Sequence, residues 1–290
     1  MLFINEEIMK FITKYFIVDN SMPELEDNQI INLIDKIFEN LIYYLNIKDV
    51  KSEKINLIIQ KEESQYYKNK IYVLIRKENK QNAEILNEFE KIFKHELVHC
   101  LIEKYYGEAP AIFWEGIPVF LADNEYLKKF KNFSYHEICK FLINTDNLVK
   151  LKYIQESHKY YGRRYDFRID AISASFIGFL IEKYNIEKLK NFFNYYHKPI
   201  PENPINNVNE ALIKAYGKNL NSLENEWHNY LLHQINENLK ITEMFHSRKF
   251  YKIIPIKNKH CKFCNLPFED KKIDFCPDCK ADNKIKIKVL

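Results

Sequence analysis

From Ala83 to Tyr106 the chain carries no proline or glycine, and apolar residues fall at 85, 86, 89, 92, 93, 97, 100 and 101. That spacing predicts one long helix. Gly107 stands where a helix C-terminus prefers glycine, and Pro110 confirms the break. Within this helix lies the run HELVH, His95 to His99. Residues four apart lie one turn apart on the same face, so the imidazoles of His95 and His99 can reach one ion, with Glu96 beside it. A zinc ion held by three side chains and a water lowers the pKa of that water to about 7, and an adjacent carboxylate can take its proton as it attacks a carbonyl. The competing interpretation of the same five residues is an ordinary polar helix face.

A third ligand decides between the two. After Gly107 a short loop runs through Pro110, and "FWEGIPVFLA" reads as a second helix beginning near Glu115. In that register Pro118 falls in the first turn, where the missing N–H costs nothing. The chain can then double back and offer Glu115 to the same ion.

At this point the sequence resembles the gluzincin metallopeptidases, the thermolysin and aminopeptidase superfamily. Their pattern is HExxH followed on a second helix by a ligand Glu, often as P-x-W-x-x-E-G-x-A. Pro110, Glu115 and Gly116 match it. Trp114 stands directly before the Glu, Ile112 occupies the usual Trp position, and Pro118 replaces the Ala. Downstream, "AISASFIGFLIEKYNIEKLKNFF" and "ALIKAYGKNLNSLENEWHNYL" are similar to the helical subdomain of one gluzincin group, so the resemblance covers roughly Lys70 to Leu232. It implies a zincin-like catalytic domain, one catalytic Zn²⁺ on His95, His99 and Glu115, Glu96 as general base, and a peptide or protein substrate. It also implies a Tyr or His donor for the oxyanion. Asp170, Ala171 and Ile172 occupy the region where a Tyr often stands in that group, and Tyr165, slightly upstream, is the candidate.

The remaining pattern predicts an α+β fold that is mostly helical. Ile8, Phe11, Ile12, Tyr15 and Phe16 fall at helical spacing, as do apolar residues from Asn28 to Asn46, giving an N-terminal helical segment over 1–47. "KINLIIQ" and "KIYVLIRKE" are β-branched runs read as strands, so a small sheet precedes the active-site helix in a catalytic subdomain over 48–125. "KIYVLIRKE" is expected at the sheet edge, where a peptide could add as a strand. A helical C-terminal subdomain follows over 126–243, interrupted by a proline-rich loop at "HKPIPENPINN". Three of the five arginines cluster in "YGRRYDFR", placed to make forked contacts with carboxylates, or to serve as a structural ion-pair patch.

After Glu243 the composition turns Lys-rich around Cys261-x2-Cys264 and Cys276-x2-Cys279, eleven residues apart. Two such knuckles make a tetrahedral thiolate site, so 244–290 is read as a zinc ribbon holding a second, structural Zn²⁺. With so little core, the segment would depend on the metal, worth about 10–16 kcal/mol in comparable peptides. Its 12 Lys plus Arg against 5 Asp plus Glu from Ser247 onward could meet a nucleic acid or a protein partner. Cys100 and Cys139 are read as buried apolar residues.

A formal charge of +4 over 290 residues does not demand a nucleic-acid or membrane partner. Glu6, Glu7, Lys10 and Lys14 interrupt any signal-like apolar core, and no apolar run reaches the length of a membrane span, so a cytoplasmic protein is expected. Two alternatives stay open. An SprT-like protease acting on DNA-bound proteins also joins HExxH to a zinc ribbon, but takes a third His, and the next here is His136. The other is a non-catalytic zinc-binding protein that only holds a partner.

Overall fold

A computed structural model describes residues 9–22, 25, 27–60, 65–67, 69–75, 81–107, 110–122, 133–155, 167–196, 204–236 and 241, with four two-residue strands beyond 250. Among these residues the protein is α+β and mostly helical, with nine helices and one five-stranded sheet. No helix among them is long and apolar enough to cross a membrane.

The sheet is built from β1 (Met9–Ile12), β2 (Phe16–Asn20), β3 (Ile55–Gln60), β4 (Gln65–Tyr67) and β5 (Lys70–Leu74), in the order β1-β2-β3-β5-β4. β2, β3 and β5 run parallel, and β1 and β4 flank them antiparallel. α1 (Asp27–Tyr44) forms the crossover between β2 and β3, as a parallel pair requires. Phe16, Val18, Ile55, Leu57, Ile59, Ile71 and Val73 alternate along their strands and are buried. Phe16 meets Phe38 of α1 and Phe93 of the long helix edge-on, which joins sheet and helices in one core.

Of the N-terminal residues read from their spacing as a helix, Ile8 lies outside the described residues, and Phe11, Ile12, Tyr15 and Phe16 belong instead to a strand pair and its turn. Phe16 to Asn20 alternate buried and exposed, and β2 gains a full parallel ladder on β3 that a short isolated helix would forgo. The turn between the strands is fixed by Thr13, whose hydroxyl accepts from the Phe16 amide and donates to Asp35 of α1 at 2.7 Å. A second correction concerns "KIYVLIRKE". Its core, β5, is paired on both sides, by β3 and by β4, so it cannot receive a substrate strand; β4 is the edge.

The long helix is α2 (Asn82–Tyr105), as its uninterrupted pattern predicts. Gly107 adopts φ +93, and its amide and that of Tyr106 both bond the Ile102 carbonyl, closing the helix. α3 (Ala111–Ala122) follows, with the Pro110 carbonyl accepting from the amides of Phe113 and Trp114. It starts four residues before Glu115, not at it. Pro118 therefore lies inside the helix, where it removes the bond to the Trp114 carbonyl.

The rest is helical: α4 (Tyr135–Asn144), α5 (Leu151–Gln155), α6 (Phe167–Tyr184), α7 (Ile186–Tyr195), α8 (Pro204–Tyr216) and α9 (Leu220–Gln234). The proline-rich loop is shorter than its composition suggests, because Pro204 opens α8, the position where proline's fixed φ suits a helix. Beyond 250, β6 (Tyr251–Lys252) pairs β9 (Lys288–Val289), and β7 (Lys259–His260) pairs β8 (Pro267–Phe268) on either side of Cys261 and Cys264.

Candidate metal centre

From His95 to Ile102 every residue of α2 is buried, polar and apolar alike. His95 and Glu96 are 8 % exposed and His99 is 5 % exposed. A solvated polar helix face would look different. Three neighbouring ionisable side chains inside an otherwise apolar buried stretch cost free energy unless something pairs them.

Glu115 supplies that pairing for the histidines. Its carboxylate Oε2 lies 3.7 Å from His95 Nε2 and 3.5 Å from His99 Nε2, and the two Nε2 atoms lie 3.2 Å apart. One candidate ligand atom from each of the three residues lies within 4.8 Å of the other two. Donors held at about 2.0–2.1 Å from one tetrahedral ion are spaced about 3.3–3.4 Å apart. The observed triangle is close to that. Two imidazoles and one carboxylate are also a donor set used by catalytic zinc, leaving a fourth position open. The residues fit the ion.

Burial alone would raise the Glu115 carboxyl, but charge on His99 and bonds to both imidazoles overcome it and hold the group far below the usual carboxylate range. Glu115 is thus ionised whenever the protein is folded near neutral pH. Its position depends on the next residue. A Cβ on Gly116 would sit 2.9 Å from Ile177 Cγ1 and 2.9 Å from the Ser173 carbonyl oxygen, so only glycine lets α3 cross α6 this closely. Gly178 of α6 repeats the device at Phe120, where a Cβ would meet the ring at 2.7 Å.

Trp114 packs its ring against His99, with centroids 4.7 Å apart and planes at 33°. His99 Nδ1 is buried and has no hydrogen-bond partner among the described residues. Neither feature follows from ligand spacing, and the only sequence signal was the displaced Trp beside the Glu. Tyr165, the proposed oxyanion donor, lies outside the described residues, as do Arg163, Arg164 and the four cysteines Cys261, Cys264, Cys276 and Cys279. Arg168 is buried on α6. Cys100 and Cys139 are fully buried, as read, and burial pushes the Cys139 thiol well above its ordinary range.

His136, the alternative third ligand, belongs to a different network. Its Nδ1 lies 2.8 Å from Ser175 Oγ, which also accepts from Trp227 Nε1 at 3.0 Å, and its Nε2 lies 3.5 Å from Glu182. Tyr230 donates to the same Glu182 carboxylate at 2.7 Å. This cluster ties α4, α6 and α9 together, and sequence reasoning had not assembled it.

Compared with known proteins, the chain matches no family model and no curated protein, so the site is read from its own residues and geometry.

Proposed function

We propose that this chain is a zinc-dependent metallopeptidase of the gluzincin type, with His95, His99 and Glu115 holding the ion. The observation that carries this reading is the near-equilateral triangle of two imidazole nitrogens, buried on α2, and one carboxylate oxygen, half-buried on α3. When bound, zinc supplies a Lewis acid that polarises a carbonyl and acidifies water. Glu96, the buried carboxylate between the two ligands in sequence, is the general base. Its carboxylate takes the proton of the attacking water and can return it to the departing amine, a task worth about 10²–10⁴-fold. Tyr165 is the proposed oxyanion donor.

The substrate would be an extended peptide. Among the described residues β4 pairs with β5 alone, so its outer backbone groups would take up an added strand. Main-chain pairing of this kind selects weakly for sequence. Cys261, Cys264, Cys276 and Cys279 would hold a second, structural zinc in a ribbon that meets a protein or nucleic-acid partner. The SprT-like alternative finds no support in the site, because His136 is engaged by Ser175 and Glu182.

The test is turnover of an unstructured peptide library by wild-type protein and Glu96→Gln. The variant should keep its zinc, since Glu96 is not a ligand, while turnover falls by about 10²–10⁴-fold. Absence of any cleavage by zinc-loaded wild type would replace the enzyme with a zinc-dependent partner-binding protein.

A further inference from the structure

A metal-bound imidazole is ordinarily held through its other ring nitrogen by a carboxylate, a backbone carbonyl or a water, and losing that support costs about 10–100-fold in affinity. His99 has no such protein group among the described residues, since its buried Nδ1 is without a partner. The imidazole torsion is soft, with broad wells in place of sharp ones. Left to itself, the ring could turn Nε2 away from the triangle. What stands against its face is Trp114, 4.7 Å away and tilted by 33°.

We infer that Trp114 is a positioning residue for the metal centre, its indole face fixing the orientation of the His99 ring where a hydrogen bond would usually do so. A large rotation of the His99 ring would drive its edge into the indole. Trp114 also precedes Glu115 directly on α3, so one helix delivers both a ligand and the support of another ligand. The inference rests on the proposed metal site and adds to it a role for a residue that neither binds the ion nor touches substrate.

The experiment uses the full chain, stripped and reloaded with Zn²⁺ against a competing chelator. The class of zinc lost in Glu115→Ala identifies the site. Trp114→Phe keeps an aromatic face, whereas Trp114→Leu keeps apolar volume without one. For that class, the Leu variant should bind about 10–100-fold more weakly than wild type, and the Phe variant should lose less than about tenfold. Co²⁺ absorption of the nitrogen and oxygen site should be altered in Leu and retained in Phe. Melting of the metal-free proteins should be alike for the two variants, which separates ring orientation from simple packing. Equal zinc affinity in Phe and Leu, or a Leu variant that binds like wild type, overturns the role of Trp114 and leaves the metal site standing. If Glu115→Ala removes no zinc, the metal reading itself fails, and this inference with it.

Discussion

Replacing Gly116 with alanine tests how the third ligand is seated. The new Cβ would lie 2.9 Å from both Ile177 Cγ1 and the Ser173 carbonyl oxygen, and 3.0 Å from the Ser173 carbonyl carbon. The side chain of Ile177 can yield, but the Ser173 backbone is held in α6. To restore ordinary contact α3 must retreat by about 0.5 Å, and overpacking of this kind costs about 1–3 kcal/mol. Better helix propensity returns about 1 kcal/mol, leaving a net loss of about 0–2 kcal/mol. Metal affinity suffers more visibly, because Glu115 moves with α3 and ligand distances tolerate only about 0.2 Å. Gly178→Ala is the control: its closest contact is the ring of Phe120, a partly exposed side chain that can turn aside. Denaturant unfolding of the metal-free proteins and zinc competition should find Gly116→Ala weakened in both, by about tenfold or more in affinity, and Gly178→Ala close to wild type in zinc binding. The reasoning fails if Gly116→Ala holds zinc as tightly as wild type, or if Gly178→Ala loses as much.

Two further outcomes are expected. If both proposed zinc sites are present, elemental analysis should find two zinc ions per chain, with Glu115→Ala removing one and mild chelation removing that same one first, because the proposed thiolate site would be bound up with folding. The His136 imidazole is pushed below its ordinary range by burial, with the Glu182 charge only partly opposing. A buried neutral His contributes stability above its unfolded pKa of about 6.5 that is lost as pH falls through that value toward the folded one, because the unfolded chain then binds the extra proton. Stability measured against pH from 7.5 downward should therefore fall less steeply in His136→Gln than in wild type, while zinc content stays the same.

Much of the candidate site was legible because its three candidate ligands are local in sequence. His95 and His99 announce themselves by helical spacing, and Glu115 by the glycine that follows it and the break at Gly107. What spacing cannot show is burial. The same HELVH could have lain on a wet surface, and only the packing of α2 on every side excludes it. The N-terminal strands were misread because positions 8, 11, 12, 15 and 16 satisfy a helical period, while the decisive energy, the ladder to β3, comes from residues some forty positions away. The edge position of β4 had the same cause: strand order is a pairing choice that no single segment encodes. Trp114 was visible as a departure from a motif, but its meaning needed the position of the His99 ring.

The close approach of α3 to α6 also bears on how the chain can be divided. The three candidate ligands His95, His99 and Glu115 span only a short stretch, which invites excision of a minimal metal-binding fragment. Yet the Glu115 helix is seated by Ser173 and Ile177, and the helix beneath the histidines rests on a sheet whose β2 strand comes from the first twenty residues. A fragment ending at residue 125 would bare the glycine face of α3, and one beginning at 48 would strip β2 from β3. Modularity is therefore lower than motif length suggests: a graft of the motif elsewhere must carry a partner for Gly116, and a truncation series should lose the ion proposed at His95, His99 and Glu115 as soon as α6 is removed, well before any of those three residues is deleted.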